Sequence, residues 1–258
     1  DFFTESPWDD ATVHSKLTRI TSRRVRDAQI GIIDDTLSHK PYAKKIAQIR
    51  RTYTTHVPHE GFGFNPVMEY EKSSALLKQG TAAAKLLNSD KLIMHASHYH
   101  EQPDEQAVHK AIAMTAKLAK EARFPGLLIE NSTVYEVVKD HTRFYIGYSY
   151  EQMKELLELS GAGFCLDLEH AAIAASQLGT TFKQQVEELL PLKPDYFHLS
   201  GAHFSPKDRH LGHHLSLFEG EVDKDFARDI IRKVNRPVCL ETPIDISQRK
   251  REVEFLKK

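Results

Sequence analysis

The chain has 258 residues, 40% of them hydrophobic, a formal charge of −1 and a pI near 7.0. Near-neutrality argues against binding nucleic acid by bulk charge, although a local basic patch is still allowed. No apolar run is long enough for a membrane helix and no signal-peptide pattern is present, so the expectation is a cytoplasmic enzyme without a membrane partner. This length suits a single α/β domain over residues 1–258. The two cysteines, Cys165 and Cys239, sit inside apolar runs and read as buried thiols, not as a disulfide framework.

In chain order, FFTE near the N-terminus and AQIGIID at 28–34 are weak strand candidates. Asp1 opens the chain without a methionine. If a strand lies upstream of Asp1, FFTE becomes the second strand and AQIGIID part of a helical region. The basic cluster Lys16, Arg19, Arg23, Arg24 and Arg26 reads as a solvated helix face, with phosphate contact as the alternative. From residue 53 onward strands and helices alternate. TYTTHV is a strand and Met68 to Leu87 a helix; KLIMHAS precedes a helix from Asp104 to Ala122, whose apolar stripe runs Ala107, Val108, Ala111, Thr115, Leu118, Ala119 and Ala122. GLLIEN follows, then a helix capped by Ser149, then AGFCLDLEH, a capped helix from Thr180 to Leu190, YFHLSG, a long loop, a helix from Asp223 to Val234, RPVCLETP and a charged C-terminal helix. Continuous apolar strands separated by helices imply a parallel sheet covered by helices, and six clear strands with FFTE and AQIGIID would close a (β/α)₈ TIM barrel; a barrel lacking or trimmed at its first strand is the alternative.

The chemistry-bearing residues fall where these strands stop. His95, Glu130, Asp167, His198 and Glu241 end or interrupt KLIMH, GLLIE, FCLD, YFHL and VCLE. In a parallel barrel they converge at one rim, where carboxylate oxygens and imidazole nitrogens suit zinc, manganese or iron. Glu130 and Glu241 have no Lys or Arg within their motifs, so burial in a barrel mouth would require a cation. Asp167-Leu-Glu-His170 places a carboxylate and an imidazole on one turn; the competing reading is an N-capping Asp beside an exposed His. His56 competes with His59, and His95 with His98 and His100, the last two and His59 reading as structural. In the loop from 197 to 221, His198 is the firmest candidate, Asp208, His210 and His214 are plausible, and His203 and His213 read as surface residues. There is no P-loop, GxGxxG motif or Ser-His-Asp arrangement.

At HVP (His56), IMHASH (His95), IEN (Glu130), CLDLEHA (Asp167 to His170), HLS (His198) and LETP (Glu241), the chain resembles the endonuclease IV and xylose-isomerase-like TIM-barrel superfamily, AP endonuclease family 2, across about residues 50 to 245. The resemblance implies one to three divalent ions, with zinc foremost and manganese the alternative, held by His56, His95, Glu130, Asp167, His170, His198 and Glu241 plus loop ligands. Matching Asp-Arg-His supplies Asp208 and His210. Matching Ser-Leu-x-Glu-Gly supplies His214 and places Gly212 where a ligand aspartate would stand. The implied activity is hydrolysis of a phosphodiester, in DNA or a small molecule, with Glu130 and Glu241 as catalytic groups. The segment after Glu130 lacks the glycine-rich loop of DNA-repair members, which weakens DNA as the substrate. A single-metal sugar isomerase or epimerase, with Glu130 and Glu241 as acid and base, is the alternative; a non-catalytic barrel binding a sugar or phosphate is a third. The oligomeric state is not readable from the sequence.

Overall fold

The computed structural model describes residues 33–35, 53–58, 63–138, 141–204, 212–243 and 245–258. FFTE, the Lys16–Arg26 cluster, His59, Asp208 and His210 lie outside them. The principal sheet has the order β1 (Ile33–Asp35), β2 (Tyr53–His56), β3 (Lys91–Met94), β5 (Leu127–Glu130), β8 (Gly163–Asp167), β9 (Tyr196–Leu199) and β12 (Val238–Leu240). From β2 to β12 every neighbour pairs in parallel. β1 is the exception. The region read as either a barrel strand or helix holds a three-residue strand that runs antiparallel to β2, so it does not serve as a further parallel stave. The two ends of the order, β1 and β12, approach one another, which curls the sheet.

Helices cover the outer face. They are α1 (Tyr70–Leu86), α2 (Glu105–Ala122), α3 (Tyr150–Ser160), α4 (Leu168–Leu178), α5 (Phe182–Leu189), α6 (Lys224–Val234) and α7 (Ile246–Lys257). Their starts follow from local chemistry. Asp104, Ser149, Thr181, Asp223 and Asp245 each accept a backbone N–H of the first turn, and Thr181 completes a capping box with Gln184. No helix among the described residues is long and apolar enough to cross a membrane.

Strand alternation divides the core in two. Leu92, Met94, Leu127, Ile129, Phe164 and Leu166 point outward and pack against helix residues such as Leu77, Ile112, Met153 and Val186. Ile93, Leu128, Cys165, Tyr196 and Cys239 form a separate apolar layer inside the curl, joined by Thr54, whose hydroxyl donates to Tyr196 Oη (3.0 Å). Both cysteines are buried and neither is in a disulfide, as expected. Every member of that inner layer lies two residues before a candidate ligand: His56, His95, Glu130, Asp167, His198 and Glu241. Side chains two apart on a strand share a face, so the floor and the site are one pattern read twice.

Two small sheets stand on the rim. β4 (His98–Tyr99), β7 (His141–Tyr145) and β6 (Tyr135–Val138) form one; β10 (Gly201–His203) and β11 (Gly212–Leu215) form an antiparallel pair. The second docks tightly, because a Cβ at Gly201 would meet Ser216 O at 2.2 Å and Glu219 O at 2.5 Å.

Candidate metal centre

Glu130, the last residue of β5, is the hub. It is 1% exposed, and its two carboxylate oxygens face different histidines. Oε2 lies 3.1 Å from His56 Nε2 and 3.3 Å from His95 Nε2. Oε1 lies 3.1 Å from His198 Nδ1 and 3.4 Å from His170 Nδ1. The same His198 nitrogen is 3.3 Å from Glu241 Oε1 and 3.9 Å from Asp167 Oδ2. Donor atoms fall into overlapping groups whose members lie within 4.8 Å of one another: His56, His95 and Glu130; Glu130, Asp167, His198 and Glu241; and Glu130, Cys165 and His198. Seven sequence candidates thus gather in one mouth, with His170 at its edge.

Backbone contacts orient these side chains. His56 Nδ1 donates to the Val57 carbonyl (2.6 Å), which turns Nε2 toward Glu130. His170 Nδ1 donates to the Asn131 carbonyl (2.8 Å). Asn131 also clamps the backbone of Asp167, accepting from its N–H (2.7 Å) and donating to its carbonyl (3.0 Å). Asp167 is the helix cap that one of its sequence readings expects. Its Oδ1 accepts the His170 N–H (2.8 Å) and caps α4, while its buried Oδ2 has no hydrogen-bond partner.

The electrostatics follow from this crowding. Burial opposes ionisation of Glu130, but the imidazoles of His198 and His95, with hydrogen bonds from His198 and His56, hold it well below the usual carboxylate range. Burial lifts Asp167 to about 7; His170 opposes the rise, and the carboxylates of Glu130 and Glu169 add to it. Burial likewise works against a charged His198, yet Cys165, Glu241 and Glu130 around it raise its pKa well above the ordinary histidine value. The residues fit a divalent cation. The donors are carboxylate oxygens and imidazole nitrogens, and Asp167 Oδ2 is a buried acceptor that no proton donor satisfies.

The loop candidates divide. His203 is exposed, as expected. His98 is buried in β4 against Tyr145, outside the three donor groups. His214 sits in the left-handed region (φ 55°) with Nδ1 3.7 Å from Glu241 Oε2, on the flank of the cage. His213 does not behave as a surface residue. Its Nδ1 donates to Glu169 Oε1 (2.7 Å), and its ring stands 6.5 Å from that of His170. Sequence reasoning also misses Glu169 itself, fully buried within Asp167-Leu-Glu-His170, because a Glu in the first turn of a helix ordinarily faces water.

A family model described as xylose isomerase-like TIM barrel (AP endonuclease family 2) matches residues 27–258. The chain belongs to this family. Among solved structures with the family fold, it is similar to endonuclease IV from Thermus thermophilus, at 20% identity over 78% of this chain and 73% of that one, with a TM-score of 0.57. The TTHB071 protein from the same organism, soaked with ZnCl2, matches at 20% identity over 81% and 78%, TM-score 0.55. D-allulose 3-epimerase from Methylomonas sp., in complex with D-allulose, matches at 15% over 76% and 73%, TM-score 0.50. At these identities the likeness is one of fold, and the fold carries both hydrolytic and sugar chemistry. No curated protein matches the chain.

Proposed function

We propose that this chain is a divalent-metal-dependent hydrolase of phosphodiesters, in DNA or in a small molecule, with zinc the leading cation and manganese the alternative. One observation carries the reading: Glu130 offers one oxygen to His56 and His95 and the other to His198 and His170. A carboxylate shared in this way suits a bridge between two cations. When bound, such a pair lowers the pKa of water and neutralises charge at the phosphoryl group. His56 and His95 would hold one ion; Asp167, His198 and Glu241 would hold the other; and His170 would support them from the edge. Glu241 is the most open of the carboxylates in these groups, its side chain 15% exposed, and would orient the attacking water at Oε2. Glu130 would only bridge. Asp208, His210 or His214 would complete the loop side, and the phosphodiester would enter from that rim.

The four-residue group Glu130, Asp167, His198 and Glu241 would also hold a single ion, as a sugar isomerase or epimerase requires. That chemistry asks Glu130 to exchange protons with substrate, and a carboxylate 1% exposed with both oxygens facing imidazoles is poorly placed to do so. Elemental analysis together with a substrate panel decides the matter. Two or more ions per chain with hydrolysis of abasic-site DNA or of a small phosphodiester is the expected result. One ion with ketose epimerisation would overturn it.

A further inference from the structure

Glu169 belongs to none of the donor groups above, yet it is as buried as Glu130. It lies in the first turn of α4 and reaches the β10–β11 pair from below. The Ser200 hydroxyl donates to its Oε2, His213 Nδ1 donates to its Oε1 at 2.7 Å, and the His214 backbone N–H approaches both oxygens at 3.4 Å. His214 holds a left-handed backbone (φ 55°) without being glycine, a conformation that persists only where surrounding contacts impose it. The Glu169 carboxylate is such a contact, and it is a costly one to bury for stability alone. With Nδ1 on Glu169, the His213 ring directs Nε2 away from that carboxylate. The side chain keeps 24% of its surface open at the mouth, beside His170.

We infer that Glu169 is a positioning residue that fixes β11 over the cage, so that His213 lines the mouth and orients a phosphoryl-bearing substrate through Nε2. The inference rests on the phosphodiester reading for its substrate class, while its anchor geometry is independent of metal count. Carboxylate-to-imidazole bonding of this kind sets the direction of a ring more than its affinity for anything, so the expected effect is on substrate binding.

The test uses the metal-loaded full chain and inorganic phosphate as the probe, titrated by calorimetry, for the wild type, Glu169→Ala, His213→Ala and the double variant. Each single substitution is expected to weaken phosphate at least tenfold with bound metal unchanged, and the double to weaken it no further, because both act through one contact. With a hydrolysed phosphodiester, KM should rise by a similar factor while kcat changes less than threefold. Unchanged phosphate affinity in His213→Ala, additive losses in the double variant, or no phosphate binding by the wild type would each overturn the inference. Should Glu169→Ala fail to fold, His213→Ala and Ser200→Ala still decide, the latter expected to share the loss. Weakened phosphate binding in a protein that hydrolyses no phosphodiester would sink the proposed activity and leave the positioning role standing.

Discussion

Asp167 divides its two oxygens between the helix it caps and the cage it faces, and this division makes it separable by mutation. Asn keeps the capping acceptor but removes the charge. Ordinary Asp ionises near 3.8, whereas burial holds Asp167 at about 7 in the metal-free fold. Between those values the folded chain keeps a proton that the unfolded chain has released. The stabilisation from this group is therefore full below the unfolded value and is lost as pH rises through about 7. In the presence of a chelator, Asp167→Asn should accordingly melt a few degrees higher than the wild type at pH 8 and show little difference at pH 4. It should also retain less metal. A lower melting point at pH 8 would mean that Asp167 is stabilised as a carboxylate without any cation. Glu241 offers the complementary test: Glu241→Gln should keep most of the metal while turnover falls by roughly 100-fold or more, measured on the same phosphodiester. An unchanged rate would remove its proposed role.

At the scale of elements, α7 is tied to the site by another buried carboxylate. Glu252 accepts from Ser216 Oγ (2.8 Å), Leu217 N (3.1 Å) and Thr242 Oγ1 (2.7 Å), linking the end of β11 to the residue after Glu241. Arg249 adds a bond to the Thr242 carbonyl at 2.6 Å. Glu252→Ala leaves three buried donors without an acceptor and should cost about 3 kcal/mol, read from the denaturation midpoint at unchanged slope. A loss under about 0.5 kcal/mol would show that water takes over those bonds. The helices themselves are legible in the sequence because their signals are local: Asp104, Ser149 and Asp223 mark their starts, and Ala111, Thr115 and Leu118 lie on the buried face expected from their spacing. The rim sheets are not. β4 has two residues and β10 three, too few for periodicity to register, and their pairing depends on distant partners. The segment after Glu130, distinguished in the sequence only by lacking a glycine-rich loop, supplies β6 and β7.

For the whole molecule, the cage places several ionisable groups in one mouth, where those described serve as counter-charges to one another. Metal removal should therefore destabilise the fold, and by an amount that depends on pH. Asp167 and His198 both carry raised pKa values, so both keep protons in the metal-free fold that bound cations would displace. Their stabilising contributions fade as pH rises through those folded values, whereas that of Glu130, depressed below 4.5, fades only as pH falls into the acid range. The gain in melting temperature on adding zinc should be larger at pH 8 than at pH 6, with proton release during the titration seen as a buffer-dependent heat. Equal gains at both values, with no protons released, would argue against ligation by these groups.

Strand alternation is a property of the chain alone, so the sequence determined that Cys165 lies beneath Asp167 and Cys239 beneath Glu241, and that five polar strand ends would meet wherever the strands ran parallel. The tertiary structure decided what those ends touch: the sharing of Glu130 between two sets of imidazoles, the antiparallel turn of β1, and the bond from His213 to Glu169 across 44 positions of sequence. Periodicity fixes the face on which a side chain lies, whereas a contact between distant segments exists only once the sheet has curled and brought them together.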